Sequence, residues 1–241
     1  MKLSEVRGAL PSLLLWIAAA GCGRAEPIPS CVLPHDVAPV AVEPPPPGEV
    51  QTGVPVASYV LSLSWAPEYC RTHGQDADAA MECRDNTYGF IVHGLWPNGP
   101  GQVHPRFCRP PSAVDIATLK ASLCMTPSTR LLQHEWAAHG TCAWPNPAAY
   151  FAKARALRAS LNAPRLAPGP SEEMTAGQVR AAFVARNSNL RRSELYIHVG
   201  PDHRFQEIHV CYDLHFAPAP CVGGVGAPDA ETVRVTPMNG A

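Results

Sequence analysis

Between residues 134 and 142 the chain reads His-Glu-Trp-Ala-Ala-His-Gly-Thr-Cys, and three of these side chains can move protons. Apolar periodicity predicts one helix from about Thr129 to Thr141. On that helix Glu135 and His139 are four apart and share a face, while His134 stands about 100° round the axis from Glu135. A carboxylate beside an imidazole holds its tautomer and raises its basicity, which suits general acid–base chemistry. A zinc-protease reading fails on spacing. It needs two histidines four apart with Glu after the first, whereas His134 and His139 are five apart, about 140° from each other on a helical wheel. An isolated amphipathic helix would carry such histidines merely as surface residues, so the remainder of the chain decides.

A second run, from Phe90 to Asn98, reads Phe-Ile-Val-His-Gly-Leu-Trp-Pro-Asn. In this order the two runs resemble the two active-site boxes of the ribonuclease T2 family. The likeness extends to Trp65-Ala66-Pro67-Glu68-Tyr69-Cys70 and to Ile208-His209-Val210-Cys211-Tyr212-Asp213, covering roughly residues 56–221. The resemblance implies cleavage of single-stranded RNA without metal or cofactor. The ribose 2′-hydroxyl attacks its own phosphate, and the resulting 2′,3′-cyclic phosphate is hydrolysed to a 3′-phosphate. Such chemistry needs a base, an acid and donors for the charge on phosphorus. By position, the resemblance makes His139 the base and His93 the acid. It gives Glu135 transition-state support, His134 a phosphate contact, Trp96 a stacking surface for a base, and Asn98 a polar base contact. DNA lacks the nucleophile.

One position departs from the family pattern. The residue before the last histidine of the second box is usually Lys, and here it is Ala138. Losing such a cation removes a few kcal/mol of transition-state stabilisation, on the order of a hundredfold in rate. Three readings follow: a slower enzyme, a substitute cation such as Arg130 or Lys153, or an exported RNA-binding lipoprotein that has lost catalysis. Retention of His93, Glu135 and His139 favours an active enzyme. A metal-dependent hydrolase using the histidines is a further rival.

The elements that must position these residues mix strands and helices without regular alternation, which predicts an α+β fold with a central antiparallel sheet packed by several helices. Tyr59, Leu61, Leu63 and Trp65 alternate with Ser58, Ser62 and Ser64 as in a half-buried strand. Ser112 and Asp115 resemble a capping box before a helix with Ile116, Leu119 and Leu123 on one face. Asn146-Pro147 opens another helix, whose face is Tyr150, Ala154, Leu157 and Leu161. Thr175 to Asn187 is a third. Glu194–Val199 and Phe205–Asp213 read as strands paired around Gly200-Pro201-Asp202.

The 241 residues suit one sizeable domain. A net charge of -1 excludes a basic nucleic-acid coat or a polybasic membrane binder, although residues 142–204 carry nine Lys or Arg against four Asp or Glu. Lys2, Arg7 and the apolar run Leu10–Ala20 read as an export signal, residues 1–22, too short for a spanning helix. Ala18-Ala19-Ala20-Gly21 before Cys22 resembles a lipobox, with ordinary cleavage after Ala20 or Ala25 the alternative. Residues 23–55, with nine prolines from Pro27 to Pro55, read as a polyproline-like tether. The catalytic domain is expected over 56–225 and a tail over 226–241. Export places the protein in the periplasm or outside the cell, as a monomer whose only membrane attachment would be a lipidated Cys22. With nine cysteines and no C-x-x-C pair, zinc is disfavoured, and setting Cys22 aside leaves an even set. The resemblance pairs Cys70 with Cys83 and Cys108 with Cys142. Proximity pairs Cys211 with Cys221, which leaves Cys31 and Cys124.

Overall fold

The computed structural model describes residues 31–238, so the export signal and Cys22 lie outside the described residues. In chain order the elements are β1 (Ser58–Trp65), α1 (Ala66–His73), α2 (Ala80–Cys83), β2 (Phe90–Asn98), α3 (Ile116–Ser122), α4 (Thr129–Glu135), α5 (Thr141–Ala143), α6 (Pro147–Ala159), β3 (Glu173–Thr175), α7 (Ala176–Arg186), β4 (Leu195–Val199), β5 (Phe205–Tyr212) and β6 (Thr232–Arg234). The main sheet has the order β2-β1-β5-β4, each pair antiparallel, and β3 pairs with β6 in a second, two-stranded sheet. This is the α+β fold expected.

The strand alternation decides which face of the main sheet is the core. Leu61 and Leu63 of β1 and Ile208 and Val210 of β5 are fully buried, and they join Leu119, Leu132, Phe151, Ala154 and Phe183 from α3, α4, α6 and α7 in one cluster. The intervening Ser62 and Ser64 face the other way, opposite His209 and Glu207 of β5. Ser62 is nevertheless fully buried, so the polar side of this strand is covered ground rather than a solvated face. A buried hydroxyl needs a partner, and that requirement shapes the site described below.

Three local expectations change. Asp115, not Ser112, caps α3, accepting from the Thr118 N–H at 2.9 Å, while the Ser112 carbonyl accepts from the Gln133 amide. Ile116 is exposed, and only Leu119 and Leu123 of the expected face are buried. The helix expected from Thr129 to Thr141 is divided: α4 ends at Glu135, a π-helical turn spans Trp136–Gly140, and α5 follows. The Asn146 cap holds, accepting from Ala149, and the structure adds a reciprocal Thr175–Gln178 box opening α7.

All four disulfides join the expected partners: Cys31–Cys124, Cys70–Cys83, Cys108–Cys142 and Cys211–Cys221. Packing runs past both boundaries expected from composition. Upstream of residue 56, Cys31 is bonded to the turn after α3, Val37 packs on the core, and Gln51 pairs with Arg106. The Pro-rich stretch is a strap laid over the domain, not a free tether, from residue 31 onward. Downstream of residue 225, Val233 and Val235 are fully buried and the Trp65 indole N–H donates to the Thr236 carbonyl at 2.8 Å.

Arg180 shows why the chain's end belongs to the fold. Its side chain on α7 is fully buried, and it donates to the carbonyls of Leu195, Val225 and Ala227 and to the Asp229 carboxylate at 2.5 Å. Ending the chain at residue 225 strips partners from a buried cation and removes β6. The loss should reach about 3–5 kcal/mol, measured by urea denaturation, with Asp229→Asn giving a smaller loss in the same direction. An unchanged midpoint for the truncated chain would show that residues after 225 are dispensable.

Candidate active site

The β1–β2 ladder slips at one place. Ser62 pairs with Gly94 and Leu63 with Val92, which leaves His93 as the extra residue of a bulge. Bulges re-aim side chains beside functional sites. Here the imidazole turns toward β5, where its Nδ1 lies 2.6 Å from Oε1 of Glu207.

Glu207 is the junction of the polar face. The Ser64 hydroxyl donates to its Oε1 at 2.7 Å and the Ser62 hydroxyl to its Oε2 at 2.9 Å, and Nε2 of His209 lies 2.9 Å from Oε2. Burial alone would raise this carboxyl, but the hydrogen bonds and charges of His209 and His93 outweigh it and hold Glu207 far below the usual carboxylate range. An ionised carboxylate only accepts, so the two imidazole nitrogens facing it both carry hydrogen. That assignment points the Nε2 edge of His93 at Glu135, whose Oε1 is 3.5 Å away. Burial pulls His93 down, yet the Glu207 hydrogen bond and the charges of Glu135, Glu207 and Glu82 push it up to about 9. His93 is a charged donor at neutral pH.

Glu135 closes α4 and is buried. The Trp96 indole N–H donates to its Oε2 at 2.8 Å. Burial raises its carboxyl to about 7, against the charge of His93 and the Trp96 hydrogen bond. A Cβ at Gly94 would overlap this carboxylate and the Trp96 indole nitrogen. Glycine between His93 and Leu95 is therefore what lets the strand bearing His93 touch the helix bearing Glu135.

The π-helical turn then carries His139. Such turns insert an extra residue into the helical register and recur at functional sites. Gly140 permits this one, because a Cβ there would strike the rings of Trp136 and Tyr150. Trp96 is flanked by three imidazoles, with ring centroids 5.3 Å from His93, 5.6 Å from His139 and 5.2 Å from His209. Burial lowers His139 well below the ordinary imidazole value, reinforced by the charges of Arg106, His134 and His93. His139 is therefore neutral where His93 is charged.

A cavity of about 740 Å³ opens beside His93 and Glu207, with His134, Phe107 and Glu82 on its walls and Glu43, Pro44 and Pro46 of the strap along one side. Its size suits a nucleotide-sized ligand. His134 is exposed, edge-on to Phe107 with centroids 6.2 Å apart. Burial raises the Glu82 carboxyl to about 7, opposed by the charge of His93.

The expected residues thus divide. His93, Glu135, His139 and Trp96 form one cluster, and His134 sits on the cavity wall. Asn98 lies at the far end of β2 opposite Ser58, its carbonyl accepting from the Ala57 N–H. Trp96 is half-buried, bonded to Glu135 and packed against three imidazoles. Of the two cations considered as substitutes, Arg130 is 70 % exposed at the cavity rim, and Lys153 is directed over the Phe216 ring at 4.2 Å. Ala138 is fully buried, its carbonyl accepting from the Phe107 N–H at 2.8 Å. Sequence reasoning missed Glu207 with its partners Ser62, Ser64 and His209. The available signal was the shared alternation of Ser62 and Ser64 with Glu207 and His209, which points to one face only once β1 and β5 are known to pair.

Known proteins resemble this chain in sequence and in fold. The model of the Ribonuclease T2 family matches residues 56–216. A probable ribonuclease of Haemophilus influenzae is 32 % identical over 171 residues, covering 66 % of this chain and 58 % of that protein. A ribonuclease of Aeromonas hydrophila is 37 % identical over 84 residues, covering 35 % of this chain and 36 % of that one. The chain thus spans under two thirds of the length of these relatives. Among solved structures, trichomaglin, described as an S-like ribonuclease, superposes with a TM-score of 0.60 at 22 % identity, over 76 % of this chain and 98 % of its own. That likeness concerns the fold.

The geometry makes Glu207 responsible for the charge on His93. In Glu207→Gln the hydrogen-bonded negative charge disappears while burial and the charges of Glu135 and Glu82 stay, so the His93 midpoint should fall from about 9. An NMR titration of the imidazole reads this directly, and a midpoint that stays put would remove Glu207 from the account.

Proposed function

The chain belongs to the ribonuclease T2 family, and from that premise we propose that it is a low-specificity endoribonuclease cleaving single-stranded RNA without a metal ion. One observation carries the reading: two imidazoles around one indole are displaced in opposite directions, His93 up to about 9 and His139 well below its usual value. Environments that push paired titratable groups apart assign acid and base.

In the proposed reaction the ribose 2′-hydroxyl loses its proton to His139 as its oxygen bonds to phosphorus. The bond from phosphorus to the 5′ oxygen breaks, and the proton on His93 Nε2 goes to that oxygen. The products are a 2′,3′-cyclic phosphate and a free 5′-hydroxyl. Hydrolysis reverses the roles: neutral His93 takes a proton from water, and His139 returns one to the 2′ oxygen, leaving a 3′-phosphate. Glu207 keeps the Nδ1 hydrogen of His93 in place through both steps. Glu135 supports the charge on His93 from the substrate side. His134 and the cavity it lines are the proposed phosphate and nucleotide contacts. Four disulfides and no spanning helix among the described residues are consistent with work in the periplasm or outside the cell. Lipid attachment at Cys22 belongs to this proposal as well, and the mass of the mature N-terminus tests it.

Digestion of an RNA homopolymer in EDTA tests the main reading. His93→Ala and His139→Ala should each lower turnover by about 10²–10⁴-fold while the parent cleaves freely. The kcat/KM profile should fall on its acid side below pH 6.5, where His139 takes up a proton, and on its alkaline side near 9, where His93 loses one. EDTA-sensitive cleavage would sink the metal-free mechanism. RNA binding without cleavage would turn the protein into an exported RNA-binding module.

A further inference from the structure

The charges around His93 do not balance for an anionic substrate. A phosphoryl group in flight carries about two negative charges, and the site already holds the carboxylates of Glu135 and Glu207 against one charged imidazole. A further cation near the phosphoryl group would offset this excess. The position beside the last box histidine cannot supply it, because Ala138 is fully buried against Phe107.

Most nearby cations are already committed. Arg71 and Arg204 both bind Glu68, at 2.8 and 3.2 Å. Arg109 donates to the Thr141 and Trp144 carbonyls. Lys153 lies over Phe216, and Arg130 projects at the rim toward Glu43.

Arg106 is also paired with a carboxylate, Glu49, but its segment is tied directly to the second box. The segment that bears it is fastened to the second box three ways: the Phe107 N–H donates to the Ala138 carbonyl, the Phe107 ring packs on Ala137 and Ala138, and Cys108 is bonded to Cys142. Phe107 has a φ of 51°, a left-handed conformation that a bulky residue adopts only where its surroundings impose it. Through that turn the Arg106 guanidinium comes to lie 5.5 Å from the Phe107 ring, which in turn faces His134. One nitrogen, Nη2, is held by Glu49 of the Pro-rich strap at 2.9 Å. The Nε atom is buried with no partner among the described residues, while the side chain as a whole is one third exposed, so its outer edge is open to a ligand. Its charge acts on His134, Glu135 and His139 alike.

We propose that Arg106, anchored by Glu49, is the cation that binds the scissile phosphoryl group and stabilises its developing charge. The Pro-rich strap is then part of the active site, because it fixes the guanidinium. This inference rests on the ribonuclease reading for its turnover consequences and on the geometry alone for phosphate binding.

The test compares Arg106→Gln and Arg106→Met with Arg106→Lys, each checked first for an unchanged melting temperature. On a dinucleotide substrate the two neutral variants should lose about 100-fold in kcat with KM altered only a few-fold, and Lys should recover a substantial part. Their acid limb should move to higher pH, because removing a positive neighbour lets His139 hold its proton longer. In parallel, calorimetry with uridine 3′-monophosphate should show at least about tenfold weaker binding by the neutral variants. A parent that binds the nucleotide through Arg106 but cleaves nothing would end the ribonuclease reading and keep the phosphate site. Neutral variants that match the parent within threefold in both kcat and nucleotide affinity would overturn the role of Arg106.

Discussion

The carboxylate of Glu207 is the constraint on which the polar half of this molecule depends. Burying an anion between β1, β2 and β5 is unfavourable unless its lone pairs are filled, and four donors from three strands fill them. Each donor is positioned by a different feature: Ser62 and Ser64 by strand alternation, His209 by the same alternation on β5, and His93 by a bulge. Shift any strand by one residue and the anion faces apolar side chains instead. The register of the sheet and the ionisation of the site are one problem with one solution.

From that anion the remaining electrostatics follow in order. Glu207 keeps His93 charged, and the charged His93 restrains the rise that burial imposes on Glu135 and Glu82. Its charge joins those of Arg106 and His134 in keeping His139 neutral. A single indole holds the spacing, since Trp96 touches His93, His139 and Glu135 at once. In the proposed mechanism a neutral His139 and a charged His93 stand side by side at one pH. They need a buried carboxylate on one side and a cation on the other.

How much of this could be read from residues alone depended on range. The two boxes, the strand alternation and three cysteine pairings were legible, because they rest on local order or on a resemblance carried by contiguous runs, while Cys31–Cys124 came only as the remaining pair. Glu207 was not. Its importance arises from a pairing between residues some 145 positions apart, and nothing near Glu207 distinguishes it from an ordinary strand glutamate. The π-helical turn was hidden for a related reason. Periodicity from Thr129 to Thr141 fits an α-helix, and only the packing of Gly140 against Trp136 and Tyr150 reveals the wider turn. Composition misled at both ends: proline marks an extended chain, but it does not say whether that chain floats or lies against a surface. Cys31–Cys124 and the Arg180 contacts decide for the surface.

In the role proposed for Arg106, the strap also compensates for Ala138. A lysine at that position would need a long side chain threaded past Phe107, which instead fills the space with its ring and bonds its N–H to the Ala138 carbonyl. Placing the positive charge on the neighbouring loop removes that conflict, but it transfers the burden of positioning to the loop. A guanidinium on a turn is less constrained than an ammonium on a helix, and long side chains lose about 2 kcal/mol of rotamer freedom when fixed. Three restraints offset this: the Cys108–Cys142 bond, the imposed conformation of Phe107 and the Glu49 carboxylate. Two are covalent or backbone constraints within the loop itself. The third comes from a segment whose composition alone suggested a spacer, and the backbone pairing of Gln51 with Arg106 holds that segment where Glu49 can reach.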